Sequence, residues 1–496
     1  MFRGSSLETA WRRVLAATIL CLAITVPAVA DQPRAKYVFL FIGDGMGLAQ
    51  RTAGELYQAA LLGEEATAWR TRLAMNRLSV AGMTTTYSRN QVITDSAAAG
   101  TALACGLKTD NGALGMVDGR PVGTIAEVAQ RSGMRVGIIT SVSIDHATPA
   151  CFYAHQPSRS NYYDIAMELP ASGFDYFAGA KLIGEKPDGD GPVPYDVARE
   201  AGYTLVTSHE QFRALASGAR KVWVAVEDFP YEMDRQDDAP SLADYTRKGI
   251  ELLEGDEGFF MMIEGGRIDW ACHANDAAAT VTDVLALDRA VAEAMAFAAR
   301  HPEETLIVVT ADHETGGMTL GSVGAAAKVT AAALAGQKHF GSSFGETVKQ
   351  LRESKADFDA VVCAVEEAFG LDGLTDVERE KLQAAWQLSL ADLPSRGRDE
   401  NTYRLYSGRD PLTAACVHMV GLRAGIGWTT WSHTASPVPV TAGGAGSERF
   451  AGCYDNTDIP RRLAAAMGLS EQFDAAKTPQ PAPAAAPAMP AGGVTR

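Results

Sequence analysis

Between Phe259 and His273 the chain reads Phe-Phe-Met-Met-Ile-Glu-Gly-Gly-Arg-Ile-Asp-Trp-Ala-Cys-His, and Glu264, Asp269 and His273 are all metal-ligand types. Asp269 and His273 stand at i and i+4, a spacing that puts both on one face of a helix, where they can share an ion. Glu264 closes a short apolar run that reads as a buried strand, and Gly265-Gly266 supply the turn. A lone Asp-x-x-x-His is most often an acidic turn with a packed histidine, so its company decides the reading. Ile42-Gly43-Asp44 and Thr310-Ala311-Asp312-His313 are two more strand-like runs with acidic endings. Ligands of open α/β sheets bind outside the carboxyl ends of the strands, so three such endings predict one shared site.

Ser96, in Thr94-Asp95-Ser96-Ala97-Ala98-Ala99-Gly100, opens an Ala-rich helix. Asp-Ser at that point caps a helix in the ordinary case. It also suits a nucleophile, because the free N–H groups and positive dipole of a helix start favour a phosphate or phosphoserine anion. No Gly-x-Ser-x-Gly elbow suggests an acyl-transfer triad. A metal ion that lowers the hydroxyl pKa is the better-suited activator.

The elements that must position these residues alternate. Apolar runs at Tyr37 to Ile42, Arg135 to Thr140, Phe174 to Ala178, Lys221 to Val226, Phe259 to Ile263 and Leu306 to Thr310 predict strands. Helices are predicted from Leu48 to Leu62, Ser96 to Leu107, Thr124 to Arg131, Leu242 to Glu254 and Asn275 to Arg300. Strands alternating with helices predict an α/β fold with a mainly parallel sheet. Residues 320 to 425 break the alternation. Their middle, Phe344 to Leu390, is helical and charged in pattern and reads as an insertion, with the acidic stretch 370 to 376 as a turn rather than a calcium loop. A last helix is expected from Ile459 to Leu469, and residues 478 to 496 are Pro/Ala/Gly-rich and expected to be disordered.

Residues 1 to 30 read as a signal peptide: Arg3, Arg12 and Arg13, an apolar run from Val14 to Val26, then Ala28-Val29-Ala30. The run is too short to span a bilayer, and no later stretch qualifies, so no membrane span is expected in the mature protein. Removing three Arg and one Glu takes the formal charge from −16 to −18. No basic tract remains, which argues against nucleic-acid binding beyond terminal phosphates as substrate. An acidic protein acting on anions needs strong local positive charge, which bound metals supply. Cys105, Cys151, Cys272, Cys363, Cys416 and Cys453 remain, without a zinc-ribbon spacing, and six cysteines allow 15 full connectivities among which the spacing does not choose.

Six ordered pieces resemble the alkaline phosphatases: residues 41–47 around Asp44, 94–97 around Ser96, His146-Ala147-Thr148-Pro149, 264–269, 310–317, and Ser432-His433-Thr434. The resemblance spans about residues 36 to 465 apart from the insertion. It implies a three-layer α/β sandwich with a central mainly parallel sheet and a helical insertion, the catalytic domain running over 31–477. It implies two Zn²⁺ and one Mg²⁺: Asp269, His273 and His433 on one zinc, Asp44, Asp312 and His313 on the other, and Asp44, Thr148 and Glu264 on the magnesium. Imidazole and carboxylate suit zinc, and an all-oxygen shell suits magnesium. Arg159 would grip two phosphate oxygens, oriented by Asp95. The activity implied is hydrolysis of phosphate monoesters through a phosphoserine on Ser96, by a periplasmic or secreted enzyme and possible homodimer. His146 and Trp270 stand where one well-known bacterial pattern has Asp and Lys. By the resemblance, that change should weaken or re-tune the third metal site, and it removes an ammonium that would hold product phosphate. The rival readings are a phosphodiesterase or sulfatase of the same superfamily, and a non-catalytic periplasmic phosphate- or metal-binding protein.

Overall fold

The computed structural model describes residues 34–64, 73–186, 189, 191–323, 328–391 and 399–477, so the expected signal peptide and carboxyl-terminal tail lie outside the described residues. One sheet of ten strands runs through the middle. In chain order these are β1 (Tyr37–Gly43), β2 (Val80–Thr85), β3 (Arg135–Ser143), β4 (Tyr176–Ala180), β5 (Thr204–Val206), β6 (Val222–Val226), β7 (Phe259–Gly265), β8 (Thr305–Thr310), β9 (Val438–Gly444) and β10 (Gly452–Asp455). Their spatial order is β10-β2-β9-β8-β1-β7-β3-β4-β6-β5, and every pairing is parallel except the two made by β9.

β1 shows why the sheet is central. Tyr37, Phe39 and Phe41 enter one buried cluster, and Val38, Leu40 and Ile42 enter another on the opposite face. A strand covered on both sides has no polar face, hence its continuous apolar run. The first face is covered by α1 (Leu48–Leu61), α5 (Leu242–Leu253), α7 (Ala277–Ala298) and α8 (Pro411–Ala424). The second is covered by α2 (Ser96–Cys105), α3 (Ile125–Arg131), α4 (Tyr162–Ser172) and α9 (Asp458–Met467). A short helix, α6 (Arg267–His273), follows β7 directly.

Helix ends follow local chemistry. Thr124 and Glu127 form a capping box at the start of α3, and Gly106, at φ 69°, stops α2 before the predicted Leu107. Gly173, at φ 66°, ends α4 and delays β4 to Tyr176, two residues later than the apolar run begins. Within 320–425 the structure has helices at Gly345–Glu353, Phe358–Phe369, Asp376–Leu390 and Glu400–Tyr406 before α8. Val348, Val361, Phe369, Leu382 and Trp386 from this region extend the first apolar cluster. Among the described residues no helix is long and apolar enough to cross a membrane, and none of the six cysteines named above is in a disulfide.

Asp276 ties this helical region to the sheet layer. It caps α7 through Ala279 N (3.0 Å), accepts from Gln337 Nε2 (3.0 and 2.8 Å) and accepts from Gly341 N (2.9 Å), all fully buried. Asp276→Ala leaves those donors unsatisfied and should cost about 3–5 kcal/mol, seen as a lower urea midpoint at unchanged slope; Asp276→Asn should recover more than half of the loss.

Candidate active site

The site starts from strand register. Ile42 in β1 lies level with Glu264 in β7 and with Thr310 in β8, so Asp44, Glu264 and Asp312 emerge together at one edge of the sheet. Gly45 carries the chain away at φ +72°, and a Cβ there would meet Thr315 Oγ1 at 2.8 Å and Asp269 Cα at 3.0 Å. Only glycine combines that backbone with that closeness. Its N–H donates to Asp312 Oδ1 (3.1 Å).

Three groups present converging ligand atoms, each set lying within 4.8 Å: Asp269, His273 and His433; Asp44, Asp312 and His313; Asp44, His146 and Glu264. In the first, His273 Nδ1–H donates to Trp431 O (2.5 Å) and His433 Nδ1–H donates to Thr94 O (2.8 Å). A carbonyl only accepts, so both protons sit on Nδ1 and both Nε2 atoms are bare. Those lone pairs face each other at 3.1 Å, with Asp269 Oδ2 3.4 Å from His273 Nε2 and Asp269 Oδ1 3.7 Å from His433 Nε2. Such an arrangement of acceptors fits a cation.

In the second group Thr315 decides the tautomer. Its hydroxyl donates to Asp269 Oδ1 (2.6 Å), so at 3.2 Å it accepts the His313 Nδ1 proton. His313 Nε2 is thereby bare, 3.3 Å from Asp312 Oδ2 and 3.5 Å from Asp44 Oδ1. Asp44 Oδ1, Asp312 Oδ2 and Glu264 Oε1 are buried with no hydrogen-bond partner, while the other oxygen of each carboxylate accepts a bond. A buried acceptor left orphaned costs about 1–3 kcal/mol, and these three point into the ligand groups. The donor set fits metal ions.

His146 behaves differently from the other three imidazoles. Arg159 Nη2 lies 3.3 Å from His146 Nε2 and donates to it, so the neutral ring keeps its proton on Nδ1, which is buried without an acceptor. Thr148 Oγ1 donates to Asp44 Oδ2 (3.4 Å), and Thr140 Oγ1 donates to Glu264 Oε2 in a short bond.

Burial controls the protonation of this cluster. It raises Asp44 well above the ordinary carboxylate range, with Asp312, Asp269 and Glu264 adding like-charge repulsion. Burial pushes Glu264 and Asp312 each to about 7, the nearby Asp269 charge adding to both. Burial, then Arg159, drops His146 to about 3, and burial, then His433 and His273, puts His313 well below the usual imidazole range. Neutral imidazoles are the ligand form. The carboxylates need positive charge to ionise at neutral pH.

Ser96 is the first residue of α2, and its Oγ lies 3.3 Å from the bare His313 Nε2. Asp95 caps the helix through Ala98 N (3.0 Å) and pairs with Arg159 Nη1 at 3.2 Å through its other oxygen. Trp270 on α6 stands edge-on to His146, ring centres 5.7 Å apart, and the Arg267 guanidinium lies 4.7 Å over its indole. The structure thus brings together Asp44, Ser96, Asp269, His273, Asp312, His313 and His433, with Asp95, His146, Thr148, Arg159, Glu264 and Trp270 around them.

Sequence reasoning left out the residues that hold this set. Thr315 and Thr140 are described above. Glu314 accepts from Gln50 Nε2 (2.7 Å), Gly317 N (3.2 Å), Met318 N (3.2 Å) and, in a short bond, Thr434 Oγ1. It fastens the residue after His433 to the segment that carries His313. The acidic Glu314 inside Asp-His-Glu-Thr was the available signal, since a carboxylate next to two ligands and not itself a ligand needs donors.

The alkaline phosphatase family model matches residues 35–187 and 179–469. Alkaline phosphatase 3 of Bacillus subtilis (strain 168) is 32% identical over 451 residues, covering 88% of this chain and 90% of the relative. The cold-active alkaline phosphatase of a psychrophilic Shewanella sp. superposes with a TM-score of 0.73 at 29% identity, over 87% of this chain and 99% of that one. The Thermus thermophilus alkaline phosphatase gives a TM-score of 0.73 at 27% identity, over 91% and 98% of the two chains. A match along most of the chain and a shared mainly parallel α/β sandwich place this protein in the alkaline phosphatase family.

Proposed function

We propose that this chain hydrolyses phosphate monoesters to an alcohol and inorganic phosphate, with Ser96 as the nucleophile. The observation that carries this is Ser96 Oγ at a helix start, 3.3 Å from a bare ligand nitrogen, on a helix capped by the Asp95 that also pairs with Arg159. Zn²⁺ held by Asp269, His273 and His433 and by Asp44, Asp312 and His313, with Mg²⁺ held by Asp44, Thr148 and Glu264, would lower the pKa of bound hydroxyl groups and offset charge on the phosphoryl oxygens.

The chain's own residues do the rest. Arg159 offers a planar fork to two phosphoryl oxygens, and Asp95 on one side with His146 on the other fixes its plane. The N–H groups at the start of α2 face the same anion. Ser96 Oγ gives up its proton to solvent and bonds to phosphorus as the ester oxygen departs with the electron pair and takes up a proton to leave as the alcohol, giving a phosphoserine. Water then attacks phosphorus, freeing phosphate and restoring the Ser96 hydroxyl. Binding rests on the phosphoryl group, so many alcohols should serve. We assign the protein to the periplasm or exterior on the signal peptide expected at residues 1 to 30, and residues 320–425 to an insertion in one catalytic domain, compatible with a homodimer.

The discriminating assay compares an aromatic phosphate monoester with a diester and a sulfate, before and after chelation. The monoester should be preferred, chelation should abolish turnover and zinc should restore it, and Ser96→Ala should lower kcat by at least about 10³-fold. Equal or better diester or sulfate turnover would favour the related esterases, and phosphate binding without turnover a binding protein.

Metal removal should also expose the buried charges. The raised Glu264, Asp312 and Asp44 remove stability from the metal-free protein as pH climbs from their unfolded values near 4 (about 3.9–4.3) through about 7. The lowered His146 and His313 act oppositely, restoring stability up to their unfolded value of about 6.5 and adding nothing above it. Between pH 6.5 and 8 the carboxylates therefore act alone. The melting-temperature gain of zinc-loaded over chelated protein should widen across that window; a constant or shrinking gain contradicts the assignment.

Trp270 leaves the product without an ammonium partner. Trp270→Lys should tighten inhibition by inorganic phosphate about tenfold, the value of one charge-assisted contact at roughly 1.4 kcal/mol. An unchanged inhibition constant would show that Trp270 only packs against His146.

A further inference from the structure

Arg159 belongs to no helix or strand: it lies in the segment 155–159, between the turn after Cys151 and the start of α4. A residue so placed takes its position from whatever holds the loop. Asp95 and His146 hold the guanidinium, and Gly112 O accepts the Arg159 N–H (2.7 Å). The other anchor is Glu168, two turns into α4. Its Oε2 accepts the His155 N–H (2.8 Å) and stands 3.6 Å from His155 Nδ1, while its Oε1 accepts from Gln156 Nε2 (2.6 Å). Gln156 passes the restraint on: its backbone exchanges two 2.9 Å bonds with Leu114, and its Oε1 accepts from Asn161 Nδ2 (3.1 Å). One carboxylate thus gathers a backbone donor and a side-chain donor from two consecutive residues, three and four positions before Arg159.

The geometry points to Glu168 as a positioning residue for the Arg159 phosphate clamp, acting through His155 and Gln156. This rests on the phosphatase reading above, and adds a member that touches neither phosphate nor any ligand group. A bidentate clamp has to be held to within about 0.5 Å, and a misplacement of about 1 Å can cost on the order of 100-fold. Glu168 is partly exposed, its side chain 28% accessible, so replacing it opens no cavity. Without it the loop keeps its Gly112 and Leu114 bonds and the bond from His155 Nε2 to Val122 O (3.1 Å) but loses the carboxylate that ties His155 and Gln156 to α4, and the guanidinium widens its range between Asp95 and His146.

The test is a double-mutant cycle on the zinc- and magnesium-loaded full chain, reading KM and kcat for an aromatic phosphate monoester and the inhibition constant of inorganic phosphate. Glu168→Ala should raise KM and the phosphate constant together by about tenfold, with kcat changed less than threefold, as expected when grip on a shared phosphoryl group is lost. In an Arg159→Ala background the same change should have almost no further effect on either constant. Glu168→Gln keeps the shape but turns an amide NH₂ toward one of the two donors, and should give an intermediate loss. Unchanged constants in folded Glu168→Ala, or an equal loss in the Arg159→Ala background, would overturn the inference. If Glu168→Ala does not fold, Glu168→Gln decides by the same criteria. A wild-type protein without monoester turnover or phosphate inhibition overturns the function and this role together, whereas an active wild type with an indifferent Glu168 overturns this role alone.

Discussion

Four carboxylates, Asp44, Glu264, Asp269 and Asp312, are buried beside one another at one edge of the sheet, and the structure around them answers that concentration of negative charge. Taking one such ion out of water costs several kcal/mol even after relaxation, and neighbours of like sign add to it. Thr140, Thr148, Thr315 and the Gly45 N–H each satisfy one oxygen. The opposite oxygens of Asp44, Glu264 and Asp312 stay open. Protein donors thus orient the carboxylates without neutralising them, which leaves the remaining attraction to cations. The same half-satisfaction governs His273, His433 and His313, whose Nδ1 protons are committed to Trp431 O, Thr94 O and Thr315 Oγ1 so that Nε2 is the free atom in each.

This arrangement also explains the elements chosen. Parallel neighbours β8, β1 and β7 end level, so a one-residue slip in either pairing would carry a carboxylate to the other face. Ser96 and Arg159 come from elsewhere, Ser96 from a helix start and Arg159 from a loop. Strand ends fix the acceptors rigidly. The Asp95 carboxylate links Ser96 and Arg159, capping the helix that the first opens and pairing with the second.

Much of this was legible in the chain. The six predicted strands and six predicted helices correspond to observed elements within a few residues, because buried parallel strands are continuous apolar runs and four of those helices open on an Asp, Thr or Ser cap. The acidic endings of three runs marked the site before any geometry. The strands β2, β9 and β10 were not legible: β9 contains Pro439, Gly443 and Gly444, and β2 alternates half-exposed small residues. Their existence follows from pairing with each other and with β8, which no local window contains. The supporting layer was equally hidden. Thr140 and Thr315 are ordinary residues for a strand, and the Thr94 and Trp431 carbonyls have no side-chain signature at all. Glu168 reads as one more acidic residue on a helix until the loop before it is in place.

His433 poses the sharpest question of register, since 119 residues, many of them helical, separate it from His313. The structure answers with two short antiparallel pairings that close the excursion. Thr319 and Leu320 pair with Gly427 and Ile426, and Glu314 and Thr315 pair with Thr434 and His433. The chain leaves and returns through the same stem. Closing a long loop costs only about 0.6 kcal/mol more for each doubling of its length, so the stem can hold nearly any insertion that folds on its own side. Its last pair sets His433 directly across from Thr315, the threonine that bridges Asp269 and His313. The bond from Thr434 to Glu314 then fixes the register by chemistry as well as by hydrogen-bond ladder. Length between two ligands therefore says little about whether they meet. What matters is whether the residues flanking each ligand can pair, and Asp-His-Glu-Thr with Ser-His-Thr can.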